Sequence, residues 1–204
     1  MILWWLIPIV LIPFWLLQNA THEYSHASVL WWYKWNVQVI PLPHRTYKRD
    51  PAGKVLVYYP WQKRFWTADT DLKMSACYGI RTNEAEELPD PARSVMLGTP
   101  WLISYGLTLL ATTCALGAQQ PWLITIFLIW ATCNCIDMCF NRWSLFKKDN
   151  INSTDWHNYN NDWWKITKLE GVSLWKARLS AIGNTSPTLL FLVLVIILKL
   201  LNLG

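Results

Sequence analysis

Four apolar stretches constrain this chain more than any other feature. Residues 2–33, 99–117, 121–142 and 188–203 carry few charges and read as helices that cross a hydrocarbon core of ~30 Å, the last being short but workable if Lys199 snorkels to the interface. Of 204 residues, 53% are hydrophobic and only 15% charged. That leaves too little polar chain to wrap four such helices in water, so the bilayer is the expected solvent. The predicted fold class is an α-helical polytopic membrane protein forming one domain over residues 1–204, with polar loops at 34–98 and 143–187. Residues 1–17 lack a basic leader, contain Pro8 and Pro13 and continue directly into the next polar motif, so they read as an uncleaved first span.

Charge and aromatic content agree with that reading. Sixteen tryptophans suit the two membrane interfaces, where indole rings are enriched. From Trp4 to Trp32 a helix rises about 42 Å at 1.5 Å per residue, close to a bilayer with its headgroups. The formal net charge of +5 falls in the loops, and both loops lie on one side of a four-span topology, which the positive-inside rule makes cytoplasmic. Nucleic acid is an unsuitable partner, because the basic residues are dispersed among acidic ones. Five cysteines, four of them in apolar segments, imply no disulfide framework. Cys133, Cys135 and Cys139 read as packing residues.

Near the end of the first span stands Thr21-His22-Glu23-Tyr24-Ser25-His26-Ala27. On a helix, residues four apart stack on one face, so the imidazoles of His22 and His26 can share one metal ion while Glu23 reaches a water bound to it. Zinc is the expected ion: it lowers the pKa of its water towards neutrality, and the glutamate accepts the proton as hydroxide attacks a peptide carbonyl. Ionisable groups inside a membrane are costly and usually functional.

A third ligand is sought further along. Asn134, Asp137 and Asn141 share one face of the third span. His26 is six residues before Trp32 and Asp137 six before Trp143, so both lie at the same expected depth on the same side. Asp137 is therefore the favoured partner. Glu84, in Asn83-Glu84-Ala85-Glu86-Glu87, is the competing candidate, on a helix that Pro89 and Pro91 would cut short. His44 and His157 read as surface residues. In the first loop, Val37-Gln38-Val39 and Lys54 to Tyr59 flank the turn Arg49-Asp50-Pro51-Ala52-Gly53, which predicts a small β-hairpin whose edge could hold an extended peptide.

These features together resemble the site-2 protease family of intramembrane zinc metalloproteases. The resemblance rests on His22-Glu23-Tyr24-Ser25-His26-Ala27, the following Val37-Gln38-Val39 strand and Asp137 in a later span. The family's usual Leu-Asp-Gly is replaced here by Ile136-Asp137-Met138. The resemblance implies zinc ligation by His22, His26 and Asp137, water activation by Glu23, oxyanion stabilisation by Asn134, and a membrane-embedded or membrane-adjacent protein substrate. Two other classes remain open: a non-enzymatic membrane scaffold with a structural His/Glu pair, and an ion or proton path through Glu23, Asp137 and the histidines.

Overall fold

The computed structural model describes residues 2–65, 71–73, 75–143, 145 and 162–201. A single 3-10 turn at Trp4–Leu6 leads into α1 (Ile7–Trp32). Pro8 falls in the first turn, where its missing N–H costs nothing. Pro13 lies inside the helix, which continues through it as expected. The chain then forms β1 (Asn36–Ile40), β2 (His44–Arg49), β3 (Val55–Tyr58), β4 (Asp71–Lys73) and β5 (Ala76–Ile80). Next come α2 (Asp90–Gly117), α3 (Pro121–Trp143), α4 (Asp162–Leu169) and α5 (Leu174–Leu200).

Two helices start well before their apolar stretches. Helix α2 begins at Asp90 because Pro91 sits in the first turn and opens the helix, with Pro89 extended at the N-cap. The short helix expected around Asn83 does not form; that segment is turn and coil. Helix α5 begins at Leu174 and runs through Pro187. Hydropathy marks the part of a helix that faces lipid, whereas the polar first turns are helical for local reasons that it does not register.

The hairpin is real but its first strand differs from the expectation. The turn joins β2 to β3, with Arg45 opposite Tyr58 and Thr46 opposite Val57. Strand β1 pairs with β5 instead, in antiparallel register from Asn36–Ile80 to Ile40–Ala76. Asp50 ties the turn: its Oδ1 accepts from the Lys54 N–H at 2.8 Å, and Gly53 takes the positive φ of 82° that the turn requires. The side chain of Gln38 joins the two sheets by behaving as a strand residue. Its Nε2 donates to the Val55 carbonyl at 3.1 Å and its Oε1 accepts from the Val55 N–H at 3.0 Å. Gly79 in β5 permits a close approach, since a Cβ there would meet the Trp35 ring at 3.0 Å.

Helices α1, α2 and α3 pack mutually, and α5 lies against α2 and α3. The buried face of α2 is a ladder of small residues, Pro100, Ser104, Thr108, Ala111, Thr112 and Ala115. The Thr108 and Thr112 hydroxyls donate to the carbonyls four residues back at 2.7 Å, so their polarity is satisfied inside the helix. Small residues let helix backbones come close, which is how helices associate where lipid supplies no hydrophobic drive. Ile124, Leu128, Met138, Leu192 and Val195 fill the remaining space between α2, α3 and α5.

Outward faces are apolar as well. Ile9 and Ile12 on α1 are about 60% exposed, and Leu190 and Leu194 on α5 are exposed in the same way. Among the described residues, four helices are long and apolar enough to cross a membrane. The chain is thus a mostly helical bundle with four candidate membrane spans and small β-sheets at one end. Lys199 is buried, and its Nζ donates to the Ala118 carbonyl at 3.1 Å, at the end of the bundle, satisfying an otherwise open C-terminal carbonyl of α2.

Candidate metal centre

The helical spacing on α1 sets His22 above His26, their ring centroids 5.1 Å apart with planes at 77°. Zinc bound at about 2.0–2.1 Å to one nitrogen of each ring, at a tetrahedral angle, places the ring centres roughly 5 Å apart, so this pair fits the ion. The second fit lies in the other ring nitrogens. His26 Nδ1 donates to the Met96 carbonyl of α2 at 2.8 Å. A carbonyl only accepts, so Nδ1 carries a proton. His22 Nδ1 faces Asp137 at 3.1 Å from Oδ1 and 3.2 Å from Oδ2. The carboxylate calls for a proton on that nitrogen too. This outer-shell pattern is the one that orients metal-binding histidines.

Asp137 comes from α3, 115 residues along the chain from His22. It also accepts from Ser104 Oγ at 2.8 Å, and Ser104 Oγ accepts from Gln18 Nε2 at 2.9 Å. A hydrogen-bonded chain Gln18, Ser104, Asp137, His22 therefore ties α1, α2 and α3 together at one level. Glu23 turns towards the β-sheets. It is 7% exposed and accepts from Ser75 Oγ at 2.6 Å. Its negative charge raises the Cys77 thiol, which burial, the larger cause, and that charge together push up to about 12.

Not every residue singled out in the sequence joins this cluster. Asn134 is fully buried, and its Nδ2 donates to the Trp130 carbonyl of its own helix at 2.8 Å. Glu84 is exposed and lines a shallow groove with Lys34 and Trp35. Structure therefore places Asp137, and not Glu84, beside His22. His157 lies outside the described residues. His44 is fully buried rather than at the surface: Nδ1 donates to the Leu42 carbonyl at 2.7 Å and Nε2 stands 3.2 Å from the Tyr78 hydroxyl. Burial lowers its pKa from 6.5, against the opposing effect of the Leu42 hydrogen bond and the Glu23 charge.

The triad of His22, His26 and Asp137 does not close around a common point. Among the described residues no three His, Cys, Asp or Glu side chains are arranged to hold a metal ion. The two imidazoles are spaced as a zinc pair would be, and Asp137 is placed at His22 as its hydrogen-bond acceptor. Sequence reading missed Gln18, Ser104 and Ser75. Gln18 had a signal, being four residues before His22 and so on its face. Ser104 and Ser75 had none, since a serine in an apolar span or a loop is unremarkable until its partner is known. The chain matches no family model, no curated protein and no solved structure.

Proposed function

We propose that this chain is a membrane-embedded zinc metallopeptidase, similar in its chemistry to the site-2 protease family, acting on a peptide segment within or beside the bilayer. The observation that supports it most is the meeting of His22 with Asp137 across two candidate spans. Burying a carboxylate and two histidines together in an apolar bundle is expensive, and such groups are retained mainly for function. His22 and His26 would hold the metal, and Asp137 orients His22 through its Nδ1. Bound zinc would supply a Lewis acid and a water acidified towards neutrality. Glu23 would be the base for such a water, and Ser75 holds that carboxylate near the β-sheet end of α1. Met96 and Asp137 each face Nδ1 of one imidazole and so fix the orientation of both rings. The Asn134 amide is committed to Trp130 and is assigned no step; its proposed oxyanion role requires that bond to break. Positive-inside logic puts the centre towards the cytoplasmic side.

Metal content and turnover test this together. Elemental analysis of the purified chain is expected to give one zinc per chain, with His26→Ala losing it. Glu23→Gln is expected to retain zinc while cleavage of fluorogenic casein and of transmembrane peptides falls by at least about a hundredfold. A Glu23→Gln chain that cleaves as fast as the parent overturns the catalytic role. One observation favours a second reading, a non-enzymatic scaffold: the chain from Gln18 to His22 is already satisfied as a tie between three helices. That reading predicts no stoichiometric zinc in the parent chain.

A further inference from the structure

Beside His26, at the sheet end of the bundle, is a cavity of about 460 Å³. Its inner wall is apolar, built from Leu30 of α1, Leu88 and Leu97. Its remaining wall carries the cations Arg49, Arg81, Arg93 and Lys165, with Glu87 the one carboxylate lining it among the described residues. Three separate parts of the fold contribute these charges: the β-sheets, the start of α2, and α4. Local sequence does not account for such a convergence.

We infer that this cavity binds the phosphate head of an anionic phospholipid. Three observations favour that occupant. First, the site lies where headgroups lie: Leu30 and Trp35 line it, and Trp31 and Trp32 between them are exposed, as interfacial tryptophans are. Second, the charge is complementary and net positive. The Arg93 guanidinium meets Asp90 at 3.2 Å and Glu87 at 3.9 Å, but both acids are largely exposed and such pairs hold weakly in water. Arg49 Nη1 is fixed by the Gly53 carbonyl at 2.7 Å, which presets its guanidinium on the sheet side. Third, cationic rim and apolar wall match the two parts of a phospholipid, and the volume falls in the range of ~300–1,000 Å³ typical of small-molecule sites. Basic pockets between membrane helices on the cytoplasmic side take anionic headgroups for these reasons. Because His26 forms part of the wall, a bound lipid lies against the candidate centre. Binding itself does not depend on the peptidase reading, as it is measured without turnover or metal.

Native mass spectrometry of the full chain in nonionic detergent tests the site, with dioctanoyl phosphatidylglycerol and dioctanoyl phosphatidylcholine as probes. Phosphatidylglycerol is expected to bind preferentially. Arg81→Gln is expected to weaken it about fivefold and Glu87→Gln to tighten it by a similar factor, with phosphatidylcholine unaffected by either. Both side chains are exposed, so the fold tolerates the changes, and opposite signs separate charge recognition from a loss of structure. Equal binding of the two lipids, or no response to either substitution, overturns the assignment. Displacement by inorganic phosphate at equal concentration identifies a free-anion site, and displacement by an acidic peptide identifies a peptide site; either result also overturns it.

Discussion

At the residue scale, Asp137 is the side chain whose surroundings are most demanding. A carboxylate between apolar helices needs partners, and two come from different helices, His22 on α1 and Ser104 on α2. Ser104→Ala removes one donor and leaves Gln18 Nε2 without its acceptor. Unfolding of the chain in bicelles is expected to show a loss of about 0.5–2 kcal/mol, the range for interhelical hydrogen bonds in membranes. A neutral Ser104→Ala would mean that this hydroxyl only fills space. His22, Glu23 and His26 were legible in the sequence because a four-residue spacing is a local property of a helix. The partners were legible only where spacing or depth could be counted, as for Asp137. Met96 was invisible, since a backbone carbonyl carries no side-chain signature.

At the element scale, the loop between α1 and α2 holds a pH-sensitive joint. His44 on β2 is buried and neutral, donating to Leu42 and meeting Tyr78 of β5, so it links the two sheets. Glu23 and Lys73 are the charges it senses, with opposite effects, and burial dominates both. A folded pKa below the unfolded 6.5 means that the unfolded loop binds more protons once pH falls below that value. The contribution of His44 is therefore intact above pH 6.5 and is lost as pH falls towards its lowered value. Corrected for the intrinsic exchange rate of each amide, hydrogen exchange over residues 44–65 and 75–80 is expected to be faster at pH 5.5 than at 7.5, and this remaining pH dependence should disappear in His44→Gln. Equal acceleration in both chains would assign the effect to another group. The hairpin's turn was legible from Asp50, Pro51 and Gly53. Its partner strand was not, because β2 is basic and polar and carries no alternating apolar signal, whereas Val37 and Val39 of β1 do, and β1 is taken by β5.

At the scale of the whole molecule, the two ends of the bundle differ in kind. Ala118 and the Leu3 N–H, which donates to Thr125 at 2.8 Å, mark one end; the β-sheets and α4 mark the other. Exposed tryptophans occur at both, Trp4, Trp5 and Trp122 at the first and Trp31 and Trp32 at the second. A bilayer lies between them if the four apolar helices span it. Single cysteines placed at Gln119 and Ala52 in a cysteine-free background are then expected to react with an impermeant maleimide from opposite sides, Ala52 from the cytoplasmic side. Labelling of both from the same side would exclude the four-span arrangement.

Sequence alone determined the four apolar helices, though not where α2 and α5 begin, because hydropathy and length are sums over local residues and no tertiary contact alters them. It also determined which face of α1 bears the two histidines. Tertiary structure alone decided what those histidines meet. The pairing of His22 with Asp137, the donation of His26 to Met96, the turning of Glu23 to Ser75 and the cationic cavity beside them all join residues far apart in the chain. Contacts of that kind depend on how helices pack and on which strand docks, and neither is written in the spacing of a motif.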